Sequence, residues 1–175
     1  VIHHRIVFGA VVISIVVSLP FFGRTWHLLM HQLGAILFLG NLVVSALWMS
    51  AAKRASNADA LRMGVRGIML GDAVFTTPGA LLLALNGGIL GTDFFSAGAN
   101  WLFIAIALFI VSGGVWIAVL LPAQRRMWRL LEPVPAGGPI PAEIEPVYRR
   151  WFRFGGIATL LPLAALVLMV YKPVM

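Results

Sequence analysis

The chain has 175 residues, of which 61% are hydrophobic and 11% charged, with a mean hydropathy of +0.96. A water-soluble domain of this size cannot hide that much apolar surface, so lipid is the solvent that fits. Cys is absent, which excludes disulfides and thiolate chemistry, and the net charge of +7 reads as orienting charge at a membrane, with no nucleic-acid partner expected.

A helix needs roughly 20 apolar residues to cross about 30 Å of hydrocarbon. Five segments reach or approach this, at 5–22, 26–49, 65–90, 99–121 and 154–170. Backbone groups in lipid must bond within their own segment, and nothing alternates with the period of two that a barrel needs. The expected fold is therefore an all-α polytopic transmembrane helical bundle, a four-span core plus an extra N-terminal span. The segment before "GRTWHLLM" is read as a span and not as a signal-peptide core, because no small-residue cleavage site follows it. His3 and His4 are expected in solvent.

The second segment opens with "TWHLLMHQLGAILFLGN". His27 and His31, four residues apart, share a helix face and could jointly hold one metal ion. Entering at Trp26, His31 lies about 7 Å deep, whereas His27 is expected among headgroups. Two histidines on one face cannot be opposed haem ligands. A haem would need His31 with a residue of another span, and Met169, at the same depth, offers that pairing. The simpler expectation is that His31 bonds a facing carbonyl or Thr.

In the third segment, "GDAVFTTPGALLL" places Asp72 about 9 Å from the opposite face, too far from His31 for a direct pair. Asn41, about 22 Å along the second span, is level with it, and an Asn41–Asp72 bond would join the two helices. Gly34, Gly40, Gly67 and Gly71 would allow close approach. Pro78 is expected to kink the helix, with Thr76 and Thr77 serving freed backbone groups. The helix is expected to end at "NGGILG". Ser112, Gly113 and Gly114 mark a packing surface in the fourth segment.

The connections set the orientation. "AAKRASNADALRMGVRG" carries Lys53, Arg54, Arg62 and Arg66, and the Pro-rich stretch 123–153 carries Arg125, Arg126, Arg129, Arg149, Arg150 and Arg153. With Arg5, eleven of the thirteen basic side chains fall on one side, leaving Arg24 and Lys172 on the other. The positive-inside rule puts the N-terminus in the cytoplasm and the C-terminus outside. "QRRMWRLL" is expected to lie on anionic headgroups. "EPVPAGGPIPAEIEP" is expected to run extended along the surface, with Glu143 and Glu145 solvated.

From His31 onward, "HQLGAILFLGNLVVSALW", "GDAVFTTPGALLL", "WIAVLLPAQRRM" and "RRWFRFGGIATLLPLAALVLMVYKP" resemble, in this order, a bacterial integral-membrane family, domain of unknown function 2269. The resemblance implies a helical membrane protein and no stated activity. The apolar segment 6–22 is additional to it. "HQLGAILFLGN" is also similar to the His-containing first helix of small membrane proteins that handle haem or copper.

No phosphate-cradling loop, zinc-protease motif or nucleophile elbow occurs. The leading expectation is a non-catalytic accessory or assembly subunit, without cofactor, of a larger respiratory or photosynthetic membrane complex, its partners being lipid and other membrane subunits. The alternatives are a haem b redox protein using His31, and a small transporter or proton carrier using Asp72 and the Pro78 kink.

Overall fold

The computed structural model describes residues 4–96 and 100–173, and all of its regular structure is helical. A short α1 (His4–Val16) is followed by α2 (Arg24–Arg54). Helix α3 (Ala58–Gly71) passes through a π-helical turn, Asp72–Thr76, into α4 (Thr77–Ser96). Helix α5 (Asn100–Val115) passes through a second one, Trp116–Leu120, into α6 (Leu121–Leu131), and α7 (Ile144–Tyr171) closes the bundle. Four of these rods, Arg24–Arg54, Ala58–Phe95, Asn100–Leu131 and Ile144–Tyr171, are long and apolar enough to cross a membrane. Helix α1 has 13 residues, about 20 Å of rise, and is short of that length. It leans on α4 and the first π turn.

The rods outrun the apolar segments that mark them. Helix α2 has 31 residues, about 46 Å against some 30 Å of hydrocarbon, so it projects from the bilayer. It stops only at Lys53 and Arg54, whose charges suit a helix C-terminus. Asn57 then starts α3 by accepting the Ala60 N–H at 2.7 Å. At the end of α4, the expected stop at "NGGILG" is not made: the helix runs on to Ser96. Glycine costs a helix only about 1 kcal/mol, less than packing can return.

At the Arg-rich end the projecting helices build a close-packed core of Met49, Leu61, Val65, Met127, Leu131 and Ile144. Leu61, Val65 and Ile68 recur at helical spacing on α3 and face inward. "QRRMWRLL" is thus no separate surface segment. It continues the rod Asn100–Leu131, burying Gln124, Met127 and Leu131 while Arg125, Arg126 and Arg129 stay exposed.

The Pro-rich connection also departs from expectation, because it folds back. Val134 and Ile140 pack on the core. Gly137, at φ 72°, turns its N–H to Asp59 Oδ2 at 2.7 Å. Arg62 pairs with Asp59 at 2.6 Å and donates to the carbonyls of Leu131 and Val134, closing the end of α6. Glu145, expected in solvent, pairs with Lys53 at 2.9 Å and Arg149 at 3.2 Å, tying α7 to the end of α2. At the far end Arg24 meets Asp93 at 3.2 Å, and Lys172 lies over the Phe94 and Trp101 rings.

Candidate functional site

Two polar centres lie between the rods. The first surrounds Asp72, which is 5% exposed. Its Oδ1 accepts from Thr76 Oγ1 at 2.9 Å and Asn41 Nδ2 at 3.3 Å; Asn41 also donates to Thr76 Oγ1 at 2.8 Å. Its Oδ2 accepts from Gln124 Nε2 at 2.9 Å and Trp116 Nε1 at 3.1 Å. One carboxyl group thus joins α2, the rod Ala58–Phe95 and the rod Asn100–Leu131. Gly71 leaves room for the Asn41 amide, whose Oδ1 would lie 2.6 Å from a Cβ there.

Both π turns meet at this carboxyl, since Asp72 and Trp116 are their first residues. Each turn ends one residue before an X-Pro step, at Thr77-Pro78 and Leu121-Pro122. Proline lacks an N–H and its ring collides with the carbonyl one turn back. Widening the preceding turn relieves this and redirects side chains, which is why such turns recur at functional sites. Thr77 serves the turn by donating both its N–H and its Oγ1, the latter at 2.9 Å, to the carbonyl of Asp72. A third proline, Pro162 in α7, is handled differently. The carbonyl of Ala158, four residues before it, accepts from Ser112 Oγ of α5 at 2.7 Å. Gly113 and Gly114, expected to pack beside Ser112, have open space where a Cβ would stand.

The histidines form the second centre. His27, expected among headgroups, is 1% exposed. Its Nδ1 lies 2.7 Å from Asn86 Oδ1, and Asn86 Nδ2 donates to Ser18 Oγ at 2.7 Å and the Leu82 carbonyl at 2.9 Å. With the Asn86 nitrogen spent on those acceptors, its oxygen receives, so His27 carries its proton on Nδ1. Ser18 passes the chain on to the Ser14 carbonyl at 2.7 Å. This relay ties the chain just after α1 to α4 and, through His27, to α2, and Trp26 Nε1 adds a bond to the Val17 carbonyl at 2.7 Å. The depth count missed it because it set His27 at the membrane surface and gave it no partner on a facing helix, where Asn86 stands. The signal in the sequence was a spacing of four between Ser14 and Ser18, beside a lone Asn86 in an apolar run.

His31 Nδ1 lies 3.0 Å from the Leu83 carbonyl, so this nitrogen too bears the proton and Nε2 keeps its lone pair. A Cβ at Gly87 would sit 2.8 Å from His31 Cε1, so only glycine lets the ring lie flat on α4. His31 lines a half-open cleft of about 330 Å³ whose walls include Phe38, Gly87, Phe109, Pro162 and Met169. The structure therefore brings His31 and Met169 to one cavity, which His27 does not line. Among the described residues, no group of three or more His, Asp or Glu stands together as a metal site. His3 lies outside the described residues.

No curated protein and no solved structure matches the chain. The family model described as predicted integral membrane protein (DUF2269) matches residues 26–173, beginning just inside α2 and leaving α1 outside. Four rods of membrane-crossing length and a match over most of the chain give one conclusion: this is an integral membrane protein and a member of the family defined by domain of unknown function 2269.

Proposed function

We propose that the protein binds a haem b through His31 and serves as a non-catalytic accessory subunit of a larger membrane electron-transfer complex. The observation that carries this reading is the state of the His31 ring. Histidine ligands almost always commit their second ring nitrogen to a carbonyl or carboxylate, which sets the tautomer and leaves the other nitrogen basic. His31 does this through Leu83, at a cleft that a thioether also lines. The donor set, one neutral imidazole and one methionine sulfur, suits haem iron, and such iron supplies one-electron chemistry when bound. The cleft accepts part of a macrocycle, and its open side leaves the remainder toward lipid. The Asp72 centre supports a joint between helices better than a transport site, since four protein donors already occupy its two oxygens.

Protein extracted gently from haem-replete membranes is expected to show a Soret band, lost in His31→Ala and kept in His27→Ala. The same preparation should migrate above monomer size on a blue-native gel. Absence of the band in the parent protein, or its persistence in His31→Ala, overturns the haem assignment; migration as a free monomer overturns the subunit role.

The same reading puts the Arg-rich end in the cytoplasm of a bacterial inner membrane, against anionic headgroups. Because the chain has no Cys, single introduced thiols report cleanly on sidedness. Phe21→Cys, at the far end, should react with an impermeant maleimide in intact cells, and Ala142→Cys only after the cells are opened. The reverse pattern would invert the topology.

A further inference from the structure

Helices α6 and α7 carry the same five-residue pattern, "PAQRR" at 122–126 and "PVYRR" at 146–150. In a helix the first, second and fifth positions of such a run share one face. Those positions are Pro122, Ala123 and Arg126 on one helix and Pro146, Val147 and Arg150 on the other. All six line one cleft of about 390 Å³ between the two helices. The arginines at the fourth positions turn elsewhere: Arg149 pairs with Glu145 at 3.2 Å, and Arg125 does not border the cleft. Among the described residues, neither Arg126 nor Arg150 is paired with a carboxylate, and no carboxylate lines the cleft. Two cations thus border one cavity with no anion between them.

The two arginines converge although they start at different levels. The rod Asn100–Leu131 and α7 run antiparallel, since Ser112 meets Ala158 while Ala123 shares the cleft with Val147. Measured from the Ser112–Ala158 bond by rise per residue, Arg150 lies about 12 Å away and Arg126 about 21 Å. Side chains on a helix tilt toward its N-terminus. That direction is toward the bilayer centre for Arg126 and toward the Arg-rich end for Arg150. The outer arginine therefore leans inward and the inner one outward, to a common level. Beyond it, Ala118 and Val119 continue the lining toward the bilayer centre as apolar surface. A water-soluble anion would leave that floor unused, whereas a phosphate that carries an acyl chain uses both parts. We propose that the cleft is a specific site for an anionic phospholipid, its phosphate held by Arg126 and Arg150 and an acyl chain lying over Ala118 and Val119. The inference rests on the reading that the Arg-rich end stands among headgroups, and adds to it one lipid at one place.

The test is native mass spectrometry of the full chain in detergent, titrated with dioleoylphosphatidylglycerol. One lipid is expected to bind ahead of any others. Dioleoylphosphatidylcholine, whose headgroup has no net charge, should bind there about tenfold more weakly. The pair Arg126→Gln and Arg150→Gln, made together, should abolish this first site, and Ala118→Trp, which fills the apolar floor, should weaken it by about tenfold. The pair Arg125→Gln and Arg129→Gln removes the same charge outside the cleft and should change the affinity by less than about twofold. Equal binding of the two lipids, or equal losses in the two arginine pairs, would overturn the site and leave the general attraction to headgroups standing. Displacement of the lipid by millimolar inorganic phosphate would mark a site for a free anion and overturn the lipid assignment. In detergent neither end faces a compartment, so the outcome does not depend on topology. The lipid comparison and the phosphate competition use the unaltered protein, so they decide the matter even if a variant fails to fold.

Discussion

Asp72→Leu is expected to destabilise the protein by about 2–4 kcal/mol, read as a drop in unfolding free energy under steric trapping or mild SDS titration. A hydrogen bond between membrane helices averages about 0.6 kcal/mol, so losing the three that cross between rods, from Asn41, Trp116 and Gln124, sets a lower figure near 2. The upper figure follows because the Trp116 indole and the Gln124 amide would both lose the acceptor they share, and stranded buried donors cost about 1–3 kcal/mol each. Asp72→Asn should cost about half as much. Its oxygen can keep Asn41 and Thr76, but its amide nitrogen would face two other donors, the Trp116 indole and the Gln124 amide. If both variants unfold like the parent, the carboxyl is not the joint described.

Gly34→Leu is expected to be at least as severe, about 3 kcal/mol or more, through overpacking. A Cβ at Gly34 would stand 2.8 Å from the Gly79 carbonyl oxygen and 2.8 Å from the Leu83 nitrogen. Both are backbone atoms within α4, and neither can swing aside. The two helices must part, which also pulls Leu83 from His31 and Asn86 from His27. Gly40→Ala is the control. Nothing lies within 4 Å of that Cβ, and alanine should stabilise the helix by up to about 1 kcal/mol. The pair is read by melting in detergent and by the fraction of chain extracted as monodisperse protein. Equal behaviour of the two variants would contradict the close α2–α4 contact.

These two experiments touch the features that the sequence described least well. Gly34 and Gly40 look alike in the chain, six residues apart in one apolar helix, and only the facing Gly79 distinguishes them. Asn41 and Asp72 could be placed at one level by counting rise per residue, because depth along a straight rod is a local quantity. Gln124 could not, since it follows Pro122 in a basic run that reads as a surface segment. The π turn before Pro122 carries the rod onward and brings Gln124 under Asp72. Trp116 shows the same gap: nothing along the chain signals that its indole N–H answers a carboxylate.

Composition and segment length, taken alone, settled the solvent, the helical class and the approximate number of crossings, because lipid leaves the backbone no other way to satisfy its own bonds. The clustering of basic residues at one end of the bundle was equally visible, since charge does not enter hydrocarbon without a partner. Azimuth was not visible. Which way each side chain faces around its helix, whether Asn86 meets His27, and where two widened turns converge depend on contacts between rods. Those contacts are set by small differences in shape and bonding across helices, to which periodicity along one chain is blind.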